Sequence, residues 1–96
     1  MELIRDRFAS LGSRTEEVAI CVAERESGLD PLAVNPDTGA AGLFQFLPST
    51  WASLSDMAGW GGASVFDARA NAAVAAWTVA QYGWHPWRSV GEDCGA

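Results

Sequence analysis

The segment SRTEEVAICVAERES, residues 13–27, constrains the fold more than any other stretch of this sequence. Its apolar residues recur at spacings of three and four, the period of an amphipathic helix with one buried face: Val18, Ala19, Cys21, Val22 and Ala23. A capping box, Ser13 with Glu16 three residues later, predicts where the helix begins. Gly28 predicts where it ends, and Pro31 opposes its continuation.

Glu26 interrupts the apolar pattern of this helix. It follows Val18 and Val22 at steps of four, which places it on the buried stripe in the last turn. An ionised, unpaired carboxylate there is costly, so its pKa should rise until it holds a proton near neutral pH. Such an acid suits the cleavage of a glycosidic bond, whose leaving oxygen must be protonated. The alternative is that Glu26 points to solvent and pairs with Arg25, and helix phase alone does not decide between the two.

Three further helices are predicted. The first covers Glu2 to Leu11, and Gly12 ends it. Another runs from about Ser49 to Met57 after a proline, with Trp51 and Leu54 facing inward. The longest runs from about Ala68 to Tyr82, capped by Asp67 and closed by Gly83. Its predicted buried stripe is Ala70, Ala73, Val74, Trp77 and Gln81.

The stretch between the Glu26 helix and the helix that begins near Ser49 has the composition of turns. Residues 29–42 include two prolines, Asn35, Asp37 and two glycines, which favours either a short hairpin or an irregular loop. The predicted fold is therefore mostly α, in a single domain over residues 1–96, with at most one short β-hairpin.

Charge and hydropathy exclude several classes of function. The formal net charge of −6 opposes a nucleic-acid interface, which requires a basic surface. No apolar run approaches the length of a membrane span, so we expect no membrane insertion. The first residues, MELIRDRFAS, lack the apolar segment of a signal peptide. We therefore expect that another route carries the chain to its target, or that it was excised from a larger protein.

The two cysteines, Cys21 and Cys94, are too far apart in sequence to form a CxxC motif. With a single histidine in the chain, no zinc ligand set is apparent, and no metal or cofactor is expected. A disulfide between them would tie the tail to the Glu26 helix and stabilise the fold by about 4 kcal/mol in the chain-entropy model. The alternative is one buried thiol on the helix and one free thiol in a frayed tail.

Three motifs resemble lysozyme-like lytic transglycosylases of the soluble type found in bacteria and phages. The stretch ERESGLDPLAVNPDTGAAGLFQFLPSTW is similar to the core signature of that family, in which Glu-Ser ends a helix and Gly-Leu-hydrophobic-Gln follows a loop. NAAVAAW resembles the helix behind the site, and GWHPW is similar to the ending of resuscitation-promoting factors and actinobacterial phage wall hydrolases. The resemblance runs from about Val18 to Trp87 and implies a small lysozyme-like domain.

The resemblance assigns roles to individual residues. Glu26 matches the catalytic acid, and Asn71 matches an asparagine that is mainly structural. The Ala-Tyr-Asn motif of the family is missing here, and Tyr82 is the nearest tyrosine. Trp84 lies in a loop-like segment beside a glycine, where an aromatic ring can stack on a sugar. The implied substrate-binding residues are Ser27, Phe44, Gln45, Tyr82 and Trp84.

The resemblance also implies a reaction on the glycan strands of peptidoglycan. Glu26 would protonate the oxygen between N-acetylmuramic acid and N-acetylglucosamine, and the muramyl C6 hydroxyl would close a 1,6-anhydro ring. One alternative is a hydrolytic lysozyme with Asp37 as the second carboxylate, although Asp37 also reads as a turn residue before Thr38 and Gly39. Another is a non-catalytic module that binds glycan or forms part of a phage tail.

The implied place of action is the bacterial cell wall. The chain is expected to act there as a phage endolysin, a virion tail component or an exported bacterial protein. We expect a monomer or one domain of a larger phage protein, with peptidoglycan as its partner.

Overall fold

A computed structural model of the protein describes residues 2–96, and this part of the chain is mostly helical. Its α-helices are α1 (Glu2–Phe8), α2 (Ser13–Ser27), α3 (Pro48–Met57), α4 (Ala68–Tyr82) and α5 (Arg88–Asp93). Short 3-10 turns cover Ala9–Leu11 and His85–Trp87. The prediction of a mostly α domain is confirmed. No helix in these residues combines the length and the hydropathy needed to cross a membrane.

The ends of α4 agree with the sequence prediction. Asp67 caps the helix, and its Oδ1 accepts hydrogen bonds from the backbone N–H groups of Arg69, at 2.9 Å, and Ala70, at 3.1 Å. Gly83 follows the last residue and donates its N–H to the carbonyl of Val79 at 2.8 Å. Local capping chemistry is therefore enough to set the bounds of this helix.

The predicted start of α2 is wrong. Ser13 is the first helical residue rather than the cap, and no side chain caps this end. Gly12 takes the cap position with a φ of 97°, and its carbonyl accepts the N–H of Glu16 at 3.0 Å. The preceding helix is also shorter than predicted, because Ala9–Leu11 tightens into a 3-10 turn that closes on Gly12. Because that turn ends at Gly12, α2 begins at Ser13, one residue earlier than the capping box predicted.

The core forms where α1 packs against both α2 and α4. Ile4 and Phe8 of α1 are completely buried, and so is Val22 of α2. The stripe predicted for α4 is only partly right, since Ala73 and Trp77 are half-buried and Gln81 is exposed. The buried residues of α4 lie on more than one face because α1, α3 and the His85–Trp87 turn all contact it: Ala70, Asn71, Ala72, Val74, Ala75, Ala76 and Thr78.

Of the two alternatives predicted for this segment, a short hairpin or an irregular loop, the described residues form the loop. The loop between α2 and α3 contains only two antiparallel bridges, Val34 with Ala41 and Ala41 with Phe46. Ala41 exchanges both backbone hydrogen bonds with Phe46 at 3.0 Å. Pro36 lacks an N–H, and turn bonds such as Gly39 N–H to the Asn35 carbonyl, at 2.8 Å, replace a strand ladder. The loop is therefore a series of tight turns.

The tail after α5 is fastened to α2. Cys21 and Cys94 form a disulfide across a Cα–Cα distance of 5.8 Å, as in the first of the two alternatives drawn from sequence. The Nη2 of Arg14 also donates to the carbonyl of Gly95 at 2.7 Å. Both contacts hold the C-terminal segment against the helix that carries Glu26.

Candidate active site

Glu26 lies in the last turn of α2, where Gly28 ends the helix. Gly28 has a φ of 64°, a left-handed conformation that glycine adopts without strain, and its N–H donates to the Glu24 carbonyl at 2.8 Å. The Glu26 side chain is half-buried, and within residues 2–96 it has no hydrogen-bond or ion-pair partner. Burial raises the pKa of this carboxyl above its ordinary value of 4.5. The carboxyl is therefore biased toward its protonated form.

Glu26 faces a cavity of about 310 Å³ formed by three separate parts of the chain. Its lining residues are Glu26, Gln45, Phe46, Leu47, Thr50, Leu54, Pro86 and Trp87. Glu26 is the only titratable side chain among them, and Gln45 and Thr50 are the other polar ones. The walls are otherwise apolar, which explains why the carboxyl loses hydration there.

Gln45 lines the same cavity as Glu26 and lies on a strained turn. Its φ is 54°, in the left-handed region that non-glycine residues seldom occupy. Its Nε2 donates to the carbonyls of Ala33, at 3.1 Å, and Gly42, at 3.0 Å. The Oε1 atom makes no hydrogen bond within the described residues and is available to accept one from a ligand.

Asn71 of α4 fixes this turn through two side-chain hydrogen bonds. Its Oδ1 accepts the N–H of Phe44 at 2.9 Å, and its Nδ2 donates to the carbonyl of Val65 at 2.9 Å. Gly42 has a φ of 83°, and a Cβ at this position would collide with Asn71 and with the Val65 carbonyl. The turn can approach α4 this closely only because residue 42 is glycine.

Among the residues predicted from sequence, the structure brings Glu26 and Gln45 into one cavity. Ser27 follows Glu26, but its hydroxyl donates to the Ala23 carbonyl of its own helix at 3.0 Å. The prediction that the Phe44 side chain contacts sugar is corrected, because that side chain is fully buried against Phe8 and Trp87. The pattern of an apolar residue before Gln45 serves the core here.

Tyr82 and Trp84 are outside the cavity that Glu26 lines. Tyr82 is 54% exposed and lies edge-on to Trp77, with ring centroids 6.1 Å apart. Trp84 stacks on Phe8 with centroids 5.9 Å apart. It lines a different cavity, with His85, Arg88, Glu92 and Ala96. Neither ring is therefore positioned beside the Glu26 carboxyl.

Asp37 is exposed in the loop between α2 and α3 and does not line the Glu26 cavity. Its backbone N–H donates to Oδ1 of Asn35 at 2.9 Å, so Asn35 provides the side chain that shapes this turn. Asp30 likewise shapes a turn, since its Oδ1 accepts the N–H of Leu32 at 2.9 Å. Neither carboxylate lines the Glu26 cavity.

Sequence reasoning missed the cavity walls that come from α3 and from the C-terminal segment. Thr50 and Leu54 carry no local signal of function, because their role depends on how α3 packs. Trp87 did carry a signal, since it lies beside a proline in the loop-like segment GWHPW, where an aromatic ring can stack on a sugar. Within residues 2–96, no group of three or more His, Cys, Asp or Glu side chains is arranged to hold a metal ion.

Comparison of the sequence with known protein families identifies one that matches most of the chain. The model of the transglycosylase SLT domain matches residues 9–84, which include Glu26, the Gln45 turn and all of α4. No solved structure matches the chain significantly.

Curated relatives match over a shorter stretch of 34 residues, which is 35% of this chain. The probable transglycosylase SceD of Staphylococcus haemolyticus is 59% identical there, over 14% of its own length. Probable transglycosylase SceD 3 of Staphylococcus saprophyticus is 62% identical, also over 14% of its length. The SceD protein of Staphylococcus aureus is 59% identical over 15% of its length. The aligned stretch thus spans only a small part of these relatives, and the longer family match carries the assignment: this chain belongs to the transglycosylase SLT domain family.

Proposed function

We propose that this domain is a lytic transglycosylase that cleaves the β-1,4 bond between N-acetylmuramic acid and N-acetylglucosamine in peptidoglycan. The observation that carries the proposal is a single half-buried carboxyl, Glu26, which lines a cavity with no other ionisable side chain in a domain of this family. Burial raises its pKa, and a carboxylic acid that retains its proton can protonate a leaving oxygen.

The proposed reaction uses Glu26 twice. The carboxylic acid first donates its proton to the glycosidic oxygen, and the bond from that oxygen to muramyl C1 breaks through an oxocarbenium-like transition state. The muramyl C6 oxygen then bonds to C1, and its proton passes to the Glu26 carboxylate. One product begins with a free C4 hydroxyl on N-acetylglucosamine, and the other ends in 1,6-anhydromuramic acid. Glu26 returns to its protonated form, and neither water nor a cofactor is consumed.

The carboxylates of the described structure favour this route over hydrolysis. Hydrolytic glycosidases place a second carboxylate about 5 to 9.5 Å from the acid to activate water or to bind the sugar covalently. Glu26 is the only carboxylate that lines its cavity, and Asp30 and Asp37 both lie in turns outside that lining. Without a second acid, attack by the hydroxyl within the sugar itself is the simpler chemistry.

Gln45 is the proposed sugar-binding partner of Glu26. Its Nε2 is occupied by two backbone carbonyls, which leaves Oε1 to accept a hydrogen bond from a sugar hydroxyl or amide. Ser27, Tyr82 and Trp84 stay predictions as sugar contacts.

The proposed place of action is the bacterial cell wall. A disulfide such as Cys21–Cys94 persists in oxidising surroundings outside the cytoplasm, which fits a wall enzyme. Release as a phage endolysin, display on a virion tail and export by a bacterium are the routes consistent with such a target.

Product analysis tests the proposed function. Purified peptidoglycan is digested with the protein and with its Glu26→Gln variant, and the soluble fragments are analysed by mass spectrometry. We expect 1,6-anhydromuramyl ends that the variant does not produce. Fragments with reducing ends would identify a hydrolysing lysozyme, and an absence of cleavage with retained binding to the wall would identify a non-catalytic module.

A further inference from the structure

Trp87 joins the Glu26 cavity to the aromatic core. It ends the 3-10 turn His85–Trp87, is 6% exposed and lines the cavity beside Glu26. Its ring packs nearly edge-on against Phe44 and Phe46, with centroids 5.9 and 5.6 Å away. The indole therefore forms one wall of the cavity and is itself held by the core.

The indole N–H of Trp87 makes a second, polar contact with the site. Nε1 donates to the carbonyl oxygen of Phe44 at 2.9 Å. The N–H of the same residue is held by Asn71, and the next residue is Gln45. Asn71 and Trp87 thus hold the peptide groups on either side of Phe44. These two hydrogen bonds fix the backbone of the turn from which Gln45 reaches the cavity.

We propose that Trp87 is a positioning residue for the reaction proposed above: its ring excludes water from the Glu26 carboxyl, and its N–H fixes the turn that presents Gln45. The first half concerns the environment of Glu26 and does not depend on catalysis. The second half rests on the proposed transglycosylase function.

Trp51 provides a matched control within the same chain. It is 8% exposed, its Nε1 donates to the Ala63 carbonyl at 3.0 Å, and its ring lies 5.3 Å from Phe46. It therefore resembles Trp87 in burial, in hydrogen bonding and in one aromatic neighbour. Trp51 lines the cavity on the other side of Phe46 rather than the Glu26 cavity.

Among the described residues, Glu26 is the only ionisable one that lines its cavity. Glu24 and Arg25 share α2 with it and are exposed, and Asp56 on α3 lines a different cavity. His85 and Arg88 flank Pro86–Trp87 and also line a different cavity, with Trp84. The substitutions below leave all of these groups in place, so a change in Glu26 titration would report on the Trp87 wall.

The first measurement compares Trp87→Phe with Trp51→Phe in the release of soluble fragments from peptidoglycan. Each change removes one buried indole N–H and retains an aromatic ring. We expect the cleavage rate to fall about tenfold for Trp87→Phe, because misplacement of a positioning group slows catalysis, and less than about twofold for Trp51→Phe under conditions where circular dichroism shows both to be folded. Equal rates for the two variants would overturn the positioning role.

The second measurement follows the Glu26 carboxyl carbon by NMR through a pH titration of the parent, Trp87→Phe, Trp87→Leu and Trp51→Leu. We expect the Glu26 midpoint to move toward 4.5 in the Trp87 variants, most in Trp87→Leu, and to stay unchanged in Trp51→Leu. An unchanged midpoint in both Trp87→Phe and Trp87→Leu would overturn the proposal that the Trp87 ring excludes water from the Glu26 carboxyl. If Trp87→Leu does not fold, the midpoint in Trp87→Phe decides. Because this titration needs no substrate, it stands even if the parent proves unable to cleave peptidoglycan.

Discussion

Phe46 lines two cavities of similar size, and only one of them contains an ionisable side chain. One is the Glu26 cavity, of about 310 Å³. The other, of about 290 Å³, is called the Trp51 cavity below and is lined by Val34, Gly39, Ala41, Phe46, Pro48, Trp51, Val65 and Phe66. Each has a buried tryptophan as a wall, with its indole N–H bonded to a backbone carbonyl. Only the first contains a titratable group.

The comparison shows that an apolar cavity is not enough to indicate a reactive site. The Trp51 cavity has no ionisable side chain, so its shape confers no acid–base chemistry. The Glu26 cavity gains that chemistry because α2 ends at Gly28, just after its stripe reaches Glu26. The same apolar walls that would otherwise be ordinary packing then raise the pKa of a carboxyl.

The largest expected effect is the loss of peptidoglycan cleavage when the ionisable side chain of the Glu26 cavity is replaced. Glu26→Gln keeps the shape of the side chain but removes the titratable proton, so peptidoglycan cleavage should fall by at least about a hundredfold. Glu24→Gln, on an exposed position of the same helix, is the matched control and should cleave like the parent. Release of soluble fragments measures both. Cleavage by Glu26→Gln within a few fold of the parent would remove Glu26 from the mechanism.

The next effect concerns the stability that the disulfide between Cys21 and Cys94 contributes. Intact-mass analysis without reductant should find no free thiols, since Cys21 and Cys94 are bonded. A bond that closes so long a loop stabilises by about 4 kcal/mol in the chain-entropy model. Reduction should therefore lower the melting temperature by more than about 10 °C in a domain of this size. Two thiols that react with an alkylating agent in the freshly folded protein would contradict the disulfide.

The disulfide should also affect the two cavities unequally. It fastens the segment that follows Trp87 to α2, whereas Trp51 is on α3. In a Cys21→Ser, Cys94→Ser double variant, we expect the indole N–H of Trp87 to exchange with solvent faster, and that of Trp51 to change less. NMR hydrogen exchange measures both in one sample, and an equal change in the two would show that the bond acts on the whole fold.

A smaller effect is the pH dependence of stability at Glu26. Its pKa is higher in the folded protein than in the unfolded chain, so the stability it contributes is present below 4.5 and is lost as pH rises through the folded value. Glu26→Gln avoids this loss, so its melting temperature should exceed that of the parent at neutral pH and match it below 4.5. Thermal unfolding across that range measures the difference. Parallel curves for parent and variant would show that the cavity does not desolvate Glu26.

The smallest expected effect is at Asp37, which lies outside the Glu26 cavity. Asp37→Asn should retain activity within about threefold of the parent and give the same anhydro products, because an inverting or retaining hydrolase needs a second carboxylate at the site of the acid and Asp37 does not line the Glu26 cavity. Rate and product measurements on peptidoglycan test this together. A nearly inactive variant of an enzyme that releases reducing ends would instead make Asp37 the second acid of a lysozyme.

Local sequence signals determined the end of α2, both ends of α4 and the position of the candidate acid. The end of α2 at Gly28 and both ends of α4 follow from caps and stop residues that act within a few neighbouring positions. Glu26 was identifiable because helical periodicity places it in line with Val18 and Val22, and because the Glu-Ser and Gly-Leu-Phe-Gln motifs resemble the family signature. The sequence motifs also predicted the family that the domain match confirms.

The tertiary structure decided which surroundings those residues meet. Phe44 is completely buried although its motif predicted a sugar contact, and α4 buries several faces because three other elements pack on it. Thr50, Leu54 and Trp87 join Glu26 from parts of the chain far from α2 in sequence. Caps and periodicity depend on neighbours along the chain and can be read from sequence, whereas cavities depend on contacts between distant segments, and those exist only once the core has packed.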